Sequence, residues 1–149
     1  MAAESYSGLP QRYNMMTGVL LCAFSTSILF LILPIIGIFF MADIFLVVGN
    51  CIGLYFTFRY RKESQSHIKT GIIVGLAGSV LSLLLISCFD WIFFIIPAYG
   101  FNVILLLQYT LYLFGYSGIM YILVGIILGY IFGNYYRNRE VVKTESPLF

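Results

Sequence analysis

Asp43 and Asp90 are the residues best placed to do chemistry, because each is the lone charge in a long apolar stretch. Two carboxylates facing one cavity at membrane depth would bind a cation or carry a proton. Spacing argues against that depth. Asp43 lies 16 residues before Arg59, about 24 Å along a helix, and Asp90 lies 21 residues after Lys69, about 31 Å. Both therefore sit at the edge of a hydrocarbon layer about 30 Å thick, where water reaches them. Asn50 is the deepest strongly polar side chain, and an interhelical hydrogen bond worth about 1 kcal/mol is role enough for it. Asn102 adds an amide near Asp90. Asp43, Asn50, Asp90 and Asn102 are thus the residues a solute or ion would touch, if one passes.

The remaining reactive side chains are scattered. Cys22, Cys51 and Cys88 fall in three separate apolar segments without the paired spacing of a metal or redox site, so they read as small buried hydrophobes. His67 stands alone in a basic loop, with no second ligand near it in sequence, and reads as a solvated histidine. No nucleophile adjoins a base, no carboxylates pair within a span, and no phosphate-cradling glycine loop occurs. The expectation is a protein that is not an enzyme and holds no metal or cofactor.

The elements that must position these residues follow from composition and charge. Of 149 residues, 61% are hydrophobic and 9% charged, with a mean hydropathy of +0.98, against about 25% charge in soluble domains. This excludes a soluble domain, a disordered chain, a nucleic-acid-binding basic face and a disulfide-framed module. Between Arg12 and Arg59 lie 46 residues with one charge, and between Lys69 and Arg137 lie 67 with one charge. A span takes about 20 residues, so each stretch holds more than one. The first divides into helices over about Met15 to Leu33 and Ile44 to Phe58, joined by a turn near Pro34 to Gly37.

Every basic residue falls in one of three places: Arg12; Arg59, Arg61, Lys62 and Lys69; and Arg137, Arg139 and Lys143. Loops rich in Lys and Arg stay on the cytoplasmic side, which puts both termini and the central loop inside and makes the number of spans even. The expected fold is all-α: a multi-pass cell-membrane protein of four transmembrane helices arranged as two parallel hairpins. Its segments are a cytoplasmic tail 1–14, hairpin 15–60, basic loop 61–69, hairpin 70–136 with an insertion at 91–118, and a cytoplasmic tail 137–149. The apolar run from Met15 exceeds a signal-peptide core and lacks a cleavage site, so it reads as an uncleaved span. Tyr13, Tyr55, Phe58, Tyr60, Tyr135 and Tyr136 mark the inner boundary, and Trp91, Tyr99, Tyr109, Tyr112 and Tyr116 the outer one.

An internal repeat supports the hairpins. Thr17 to Leu21 matches Thr70 to Val74 at an offset of 53, and Val48, Gly49, Gly53, Phe56, Tyr60 and Arg61 match Val124, Gly125, Gly129, Phe132, Tyr136 and Arg137 at an offset of 76. Duplication and similar packing demands both account for this. The offsets differ by 23, so the second hairpin carries 23 extra residues before its last helix. Pro97, Gly100, Gly115 and Gly118 should break this insertion into interfacial or re-entrant pieces, although an extension of the last helix from Val103 also fits. A fifth span over Ile92 to Leu113 would place Arg137, Arg139 and Lys143 outside, against the charge bias.

Small residues recur at four-residue spacing: Gly125, Gly129 and Gly133; Gly49, Gly53 and Thr57; Gly71, Gly75 and Ser79, with Gly78 and Ser82 beside them. Such glycine-zipper faces let helices approach closely, within one bundle or between copies. Gly49, Gly53, Gly71, Gly75, Gly78, Gly125, Gly129 and Gly133 are the expected helix-packing residues. The basic cluster also offers attraction for anionic lipid headgroups, though topology alone accounts for it.

Hairpins closing on Gly-x-x-x-Gly-Tyr, as at Gly125, Gly129 and Tyr130, with a basic loop and the run Lys69-Thr70-Gly71-Ile72-Ile73-Val74-Gly75-Leu76-Ala77-Gly78, resemble small archaeal four-span glycine-rich membrane proteins of unknown function. The resemblance implies a fold and no activity. The expected role is a non-enzymatic structural, accessory or self-associating helix-packing module. Its expected partners are the lipid bilayer and a homo-oligomer or larger membrane complex, with no nucleic acid. The alternative is a small transporter or channel subunit using residues 90–118 as a re-entrant gate.

Overall fold

The computed structural model describes residues 11–35, 44–59 and 66–145. Among these only Ser66 and Gly100, Phe101 and Asn102 are not helical, and there is no strand. The helices are α1 (Gln11–Ile35), α2 (Ile44–Arg59), α3 (His67–Asp90), α4 (Ile96–Tyr99), α5 (Val103–Leu113) and α6 (Ile119–Glu145). Asp43 and the second half of the turn expected at Pro34 to Gly37 lie outside the described residues; α1 itself runs through Pro34 to Ile35.

Two π-helical turns, Trp91–Ile95 and Phe114–Gly118, join α3 to α4 and α5 to α6. Asp90, Trp91, Ile95, Ile96, Leu113, Phe114 and Ile119 all keep right-handed helical angles, so both junctions are continuous. His67–Tyr99 is one rod of 33 residues, about 50 Å long. Residues 103–145 form its antiparallel companion. The wide turn before Pro97 explains its tolerance: a proline ring clashes with the carbonyl four residues back, and a π turn relieves that clash without ending the helix.

Residues 91–118 are therefore not the broken segment that four helix-disfavouring residues suggested. Only Gly100 interrupts the helix, at φ +77°, ψ 177°, a conformation essentially confined to glycine. The chain reverses there, so residues 92–113 cannot form a single fifth span. What the sequence reads as an insertion is a helical hairpin tip that continues α3 and α6.

Helix α3 is central. It packs along α6 on one side and α1 on the other, while α2 lies mainly on α1 and also touches α3 and α6. The contacts run in opposite order along α1 and α2 and along α3 and α6, so each pair is antiparallel. Arg59, Lys69, Arg137 and Arg139 consequently share one end of the bundle. Its interior divides into a cluster of Cys22, Leu54, Phe58 and Val74 near the basic end and one of Phe45, Leu46 and Ile86 toward the other. The outward faces are strongly apolar: Phe24, Ile28, Ile73, Ile127 and Ile131 are each about half exposed or more. Three helical segments are long and apolar enough to cross a membrane, Met15–Ile32, His67–Tyr99 and Ile119–Arg139; Ile44–Arg59 and Val103–Tyr116 are apolar but shorter. Such a chain fits a multi-pass membrane protein.

Candidate functional site: helix seams and the polar interior

Two seams hold the helices at backbone distance. On α3 and α6, a Cβ placed on Gly129 would lie 2.6 Å from the carbonyl carbon of Gly71, one on Gly75 2.9 Å from that of Gly125, and one on Gly133 2.7 Å from the carbonyl oxygen of His67. Nothing larger than hydrogen fits without moving a main chain. On α1 and α2, a Cβ on Gly53 would lie 2.7 Å from both the Cys22 nitrogen and the Gly18 oxygen, and one on Gly49 2.8 Å from the Thr26 nitrogen. Gly78, on α3, faces away from α6 and toward α1, where a Cβ would come 2.7 Å from the Cys22 side chain. Gly18 belongs to the same surface, packed on Thr57 and Gly53, and sequence reasoning left it out. Its signal was present in the match of Thr17-Gly18 to Thr70-Gly71.

The two seams use matching positions. Gly18 on Gly53 corresponds, at offsets of 53 and 76, to Gly71 on Gly129; Thr26 against Gly49 corresponds to Ser79 against Gly125.

Polar side chains in the interior are closed mostly by the helices that carry them. The hydroxyls of Thr26, Ser27, Thr57 and Ser82 each donate to the carbonyl four residues back, at 2.7–2.8 Å. Asn50 is fully buried and donates from Nδ2 to Ser79 Oγ at 3.2 Å, linking α2 to α3. Its Oδ1 and Ser87 Oγ have no hydrogen-bond partner among the described residues. Cys22 is also fully buried, with its thiol directed at the Asn50 carbonyl, whereas Cys88 is exposed. His67 is buried at the start of α3, stacked at 6.2 Å on Phe58, and is not the solvated loop residue its sequence position suggested.

Asp90 and Asn102 serve the hairpin tip. Tyr109 donates its hydroxyl proton to the Asp90 carboxylate, tying α3 to α5. The Asn102 side chain accepts from the Ile104 amide and caps α5, while its carbonyl accepts the Trp91 indole N–H at 3.0 Å. Asn50 meets α3 at Ser79, eleven residues before Asp90, about 16 Å away. Of the four solute-contact residues, then, Asn50, Asp90 and Asn102 do not converge, and Asp43 lies outside the described residues. Among the described residues no group of three or more His, Cys, Asp or Glu is placed to hold a metal.

Comparison with known proteins adds no template. The chain matches no protein-family model, no curated protein and no solved structure. The site's meaning rests on its own geometry.

The surface carries grooves at both ends of the bundle. One, of about 380 Å³, runs along the tip between α4 and α5, lined by Ile95, Tyr99, Leu105, Gln108, Tyr109 and Tyr112. The other, of about 360 Å³, lies at the basic end between α2 and α6, lined by Tyr55, Ile131, Phe132, Tyr135, Tyr136 and Arg139.

Proposed function

We propose that the protein is a four-span cell-membrane protein of two parallel hairpins, with both termini cytoplasmic, that acts as a non-enzymatic structural or accessory helix-packing module. The observation that carries this reading is the closure of the interior. Glycine faces on α1, α2, α3 and α6 are consumed within the chain by backbone contact, and the buried hydroxyls bond to their own helices. A transport path needs polar groups that water can reach in succession, and Asn50, Asp90 and Asn102 are each engaged in a separate structural bond.

The four-span topology is supported by the antiparallel order of the helices and by the gathering of Arg59, Lys69, Arg137 and Arg139 at one end. The matched seams support the two-hairpin repeat, since a duplicated hairpin conserves its contacts along with its residues. Among the described residues the glycine faces outside the tip are packed internally, which favours packing within one bundle over self-association through glycine zippers. The tip hairpin is the part left to meet a partner or the outer headgroups.

The test is water access. In the full chain, with native cysteines replaced, Ser79→Cys and Ser82→Cys change one atom at sealed positions. We expect neither to react with a small membrane-impermeant thiol reagent, while a cysteine at Phe101 reacts from outside and one beyond Lys143 only after permeabilisation. Reaction at position 79 or 82 in intact membranes would restore the transporter or channel reading, with Asn50 Oδ1 as its polar contact. A tail labelled from outside would remove the four-span topology.

A further inference from the structure

The α2–α6 groove at the basic end has a graded chemistry. At its foot are Ile131, about half exposed, and Phe132. At its mouth are three phenol rings and the Arg139 guanidinium, with Arg59 beside it through its bond to Tyr55. Arg59 donates to the Tyr55 hydroxyl at 2.9 Å and stands 5.8 Å from the centre of that ring, and Arg139 stands 4.9 Å from the centre of the Tyr135 ring. Tyr55 and Tyr135 both line the groove, so their rings hold the two guanidiniums at its opposite lips. Tyr136 stiffens the wall, stacked at 5.0 Å on Phe58 and edge-on to Tyr135 at 5.5 Å. Neither arginine has a carboxylate partner among the described side chains.

We propose that this groove binds one anionic glycerophospholipid of the cytoplasmic leaflet, its acyl chain along Ile131 and Phe132 and its phosphate between Arg59 and Arg139. The order of chemistry along the groove, apolar, then aromatic, then cationic, is the order met along a lipid from chain to headgroup. Tyrosine rings favour that headgroup level. Guanidinium groups pair with phosphate through charge-assisted, forked hydrogen bonds, and holding them on aromatic faces reduces the freedom lost on binding. A soluble anion would use the guanidiniums and leave the apolar foot empty. The proposal rests on the reading above only in taking this end of the bundle as the cytoplasmic interface.

The full-length protein, delipidated in a neutral detergent, is titrated with phosphatidylglycerol and with phosphatidylcholine of equal chain length, and bound lipid is counted by native mass spectrometry. One phosphatidylglycerol binds with about tenfold preference. Arg59→Gln with Arg139→Gln abolishes that preference, while Arg137→Gln, which removes an equally basic neighbour bonded instead to Asn134, preserves it. Circular dichroism confirms that each variant remains helical, and Tyr55→Phe, which frees Arg59 without removing charge, lowers the preference partway. Equal binding of the two lipids, an equal loss in Arg137→Gln, or full competition by inorganic phosphate would overturn the proposal. Topology is read separately by cysteine labelling, so either conclusion can fail alone.

Discussion

Replacing Gly129 by alanine tests whether α3 and α6 truly meet at their backbones. The added methyl would lie 2.6 Å from the Gly71 carbonyl carbon and 3.0 Å from the Ile72 nitrogen. Unstrained carbon contacts need about 3.5–4.0 Å, so the helices must part by about 1 Å at that level. A gap of that size forfeits about a quarter to a half of each dispersion contact it spans, and forced insertions into packed interiors cost about 1–3 kcal/mol. Because the obstacle is main chain and no side chain can rotate away, the upper part of that range applies, about 2–3 kcal/mol. The folded-to-unfolded ratio falls about 30- to 140-fold. Alanine's helix preference, about 1 kcal/mol in water, offsets little in mixed micelles, where the unfolded state keeps its helices. Gly115→Ala is the matched control, since no atom lies within 4 Å of a Cβ there. Unfolding in dodecyl sulfate, followed by the fluorescence of the single tryptophan, Trp91, which bonds across the tip of the same hairpin, should show Gly129→Ala shifted strongly and Gly115→Ala within about 0.5 kcal/mol of wild type. Equal midpoints for the two variants would refute backbone packing along α3 and α6.

Other outcomes follow from the same contacts. A double-mutant cycle of Asn50→Ala and Ser79→Ala should return a coupling of about 0.6–1 kcal/mol, the usual value for an interhelical hydrogen bond in a membrane protein, and zero coupling would mean α2 and α3 do not share that bond. Gly100→Ala forces a side chain into positive φ and should cost about 1–3 kcal/mol in the tip, read as faster proteolysis between residues 99 and 103 with the bundle intact; unchanged cleavage would count against the sharp reversal. In detergent, N-ethylmaleimide should label Cys88 in the folded protein and Cys22 only after unfolding, and rapid labelling of Cys22 would contradict its burial between α1, α2 and α3. In proteoliposomes, Asp43→Asn with Asp90→Asn should leave cation permeability at its wild-type level; a loss of flux would revive the carboxylate mechanism.

What was legible in the sequence is what periodicity and charge carry. Long uncharged stretches give helices, and four-residue spacing of Gly125, Gly129 and Gly133 places them on one face whatever the partner. The partner was not legible, because Gly78 has the same composition and spacing as its neighbours yet faces α1, a choice made by the rotation of α3 among three helices. Tyr109 on Asp90 and Asn50 on Ser79 join residues 19 and 29 apart in sequence, and no local pattern announces such pairs. The continuity of the tip helices was hidden for a different reason. Pro97, Gly115 and Gly118 break helices in water because they expose or unseat backbone groups that water will accept. Here the π turn Trp91–Ile95 relieves the clash of the proline ring with the carbonyl behind it, and the π turn Phe114–Gly118 carries the chain through its two glycines, so both helices continue.

That continuation sets a problem of length with few solutions. A rod of 33 residues reaches about 50 Å, and a hydrocarbon core is about 30 Å thick. Tilt alone does not absorb the difference, because spanning helices rarely lean beyond about 40° and α1, packed along α3, would have to lean with it. If the level of Lys69 marks the inner boundary, the outer one falls near Asp90, where the Tyr109 bond and the first π turn also occur. Beyond it stand Phe93, Phe94, Tyr99, Phe101 and Leu107, all more than half exposed. Aromatic rings in that number suit a headgroup layer, and the π turns rotate their faces relative to the helices beneath. A hairpin that bends at the level of Trp91–Ile95 to lie in the outer headgroups would keep these residues from bulk water without a partner; one that stands upright would need a partner to cover them. Depth-dependent quenching of Trp91 by bromolipids separates the two, since Trp91 begins the bend. Bromines just below the glycerol level should quench it best if the tip lies down, and no lipid-borne quencher should reach a cysteine-linked fluorophore at Phe101 if the tip stands free.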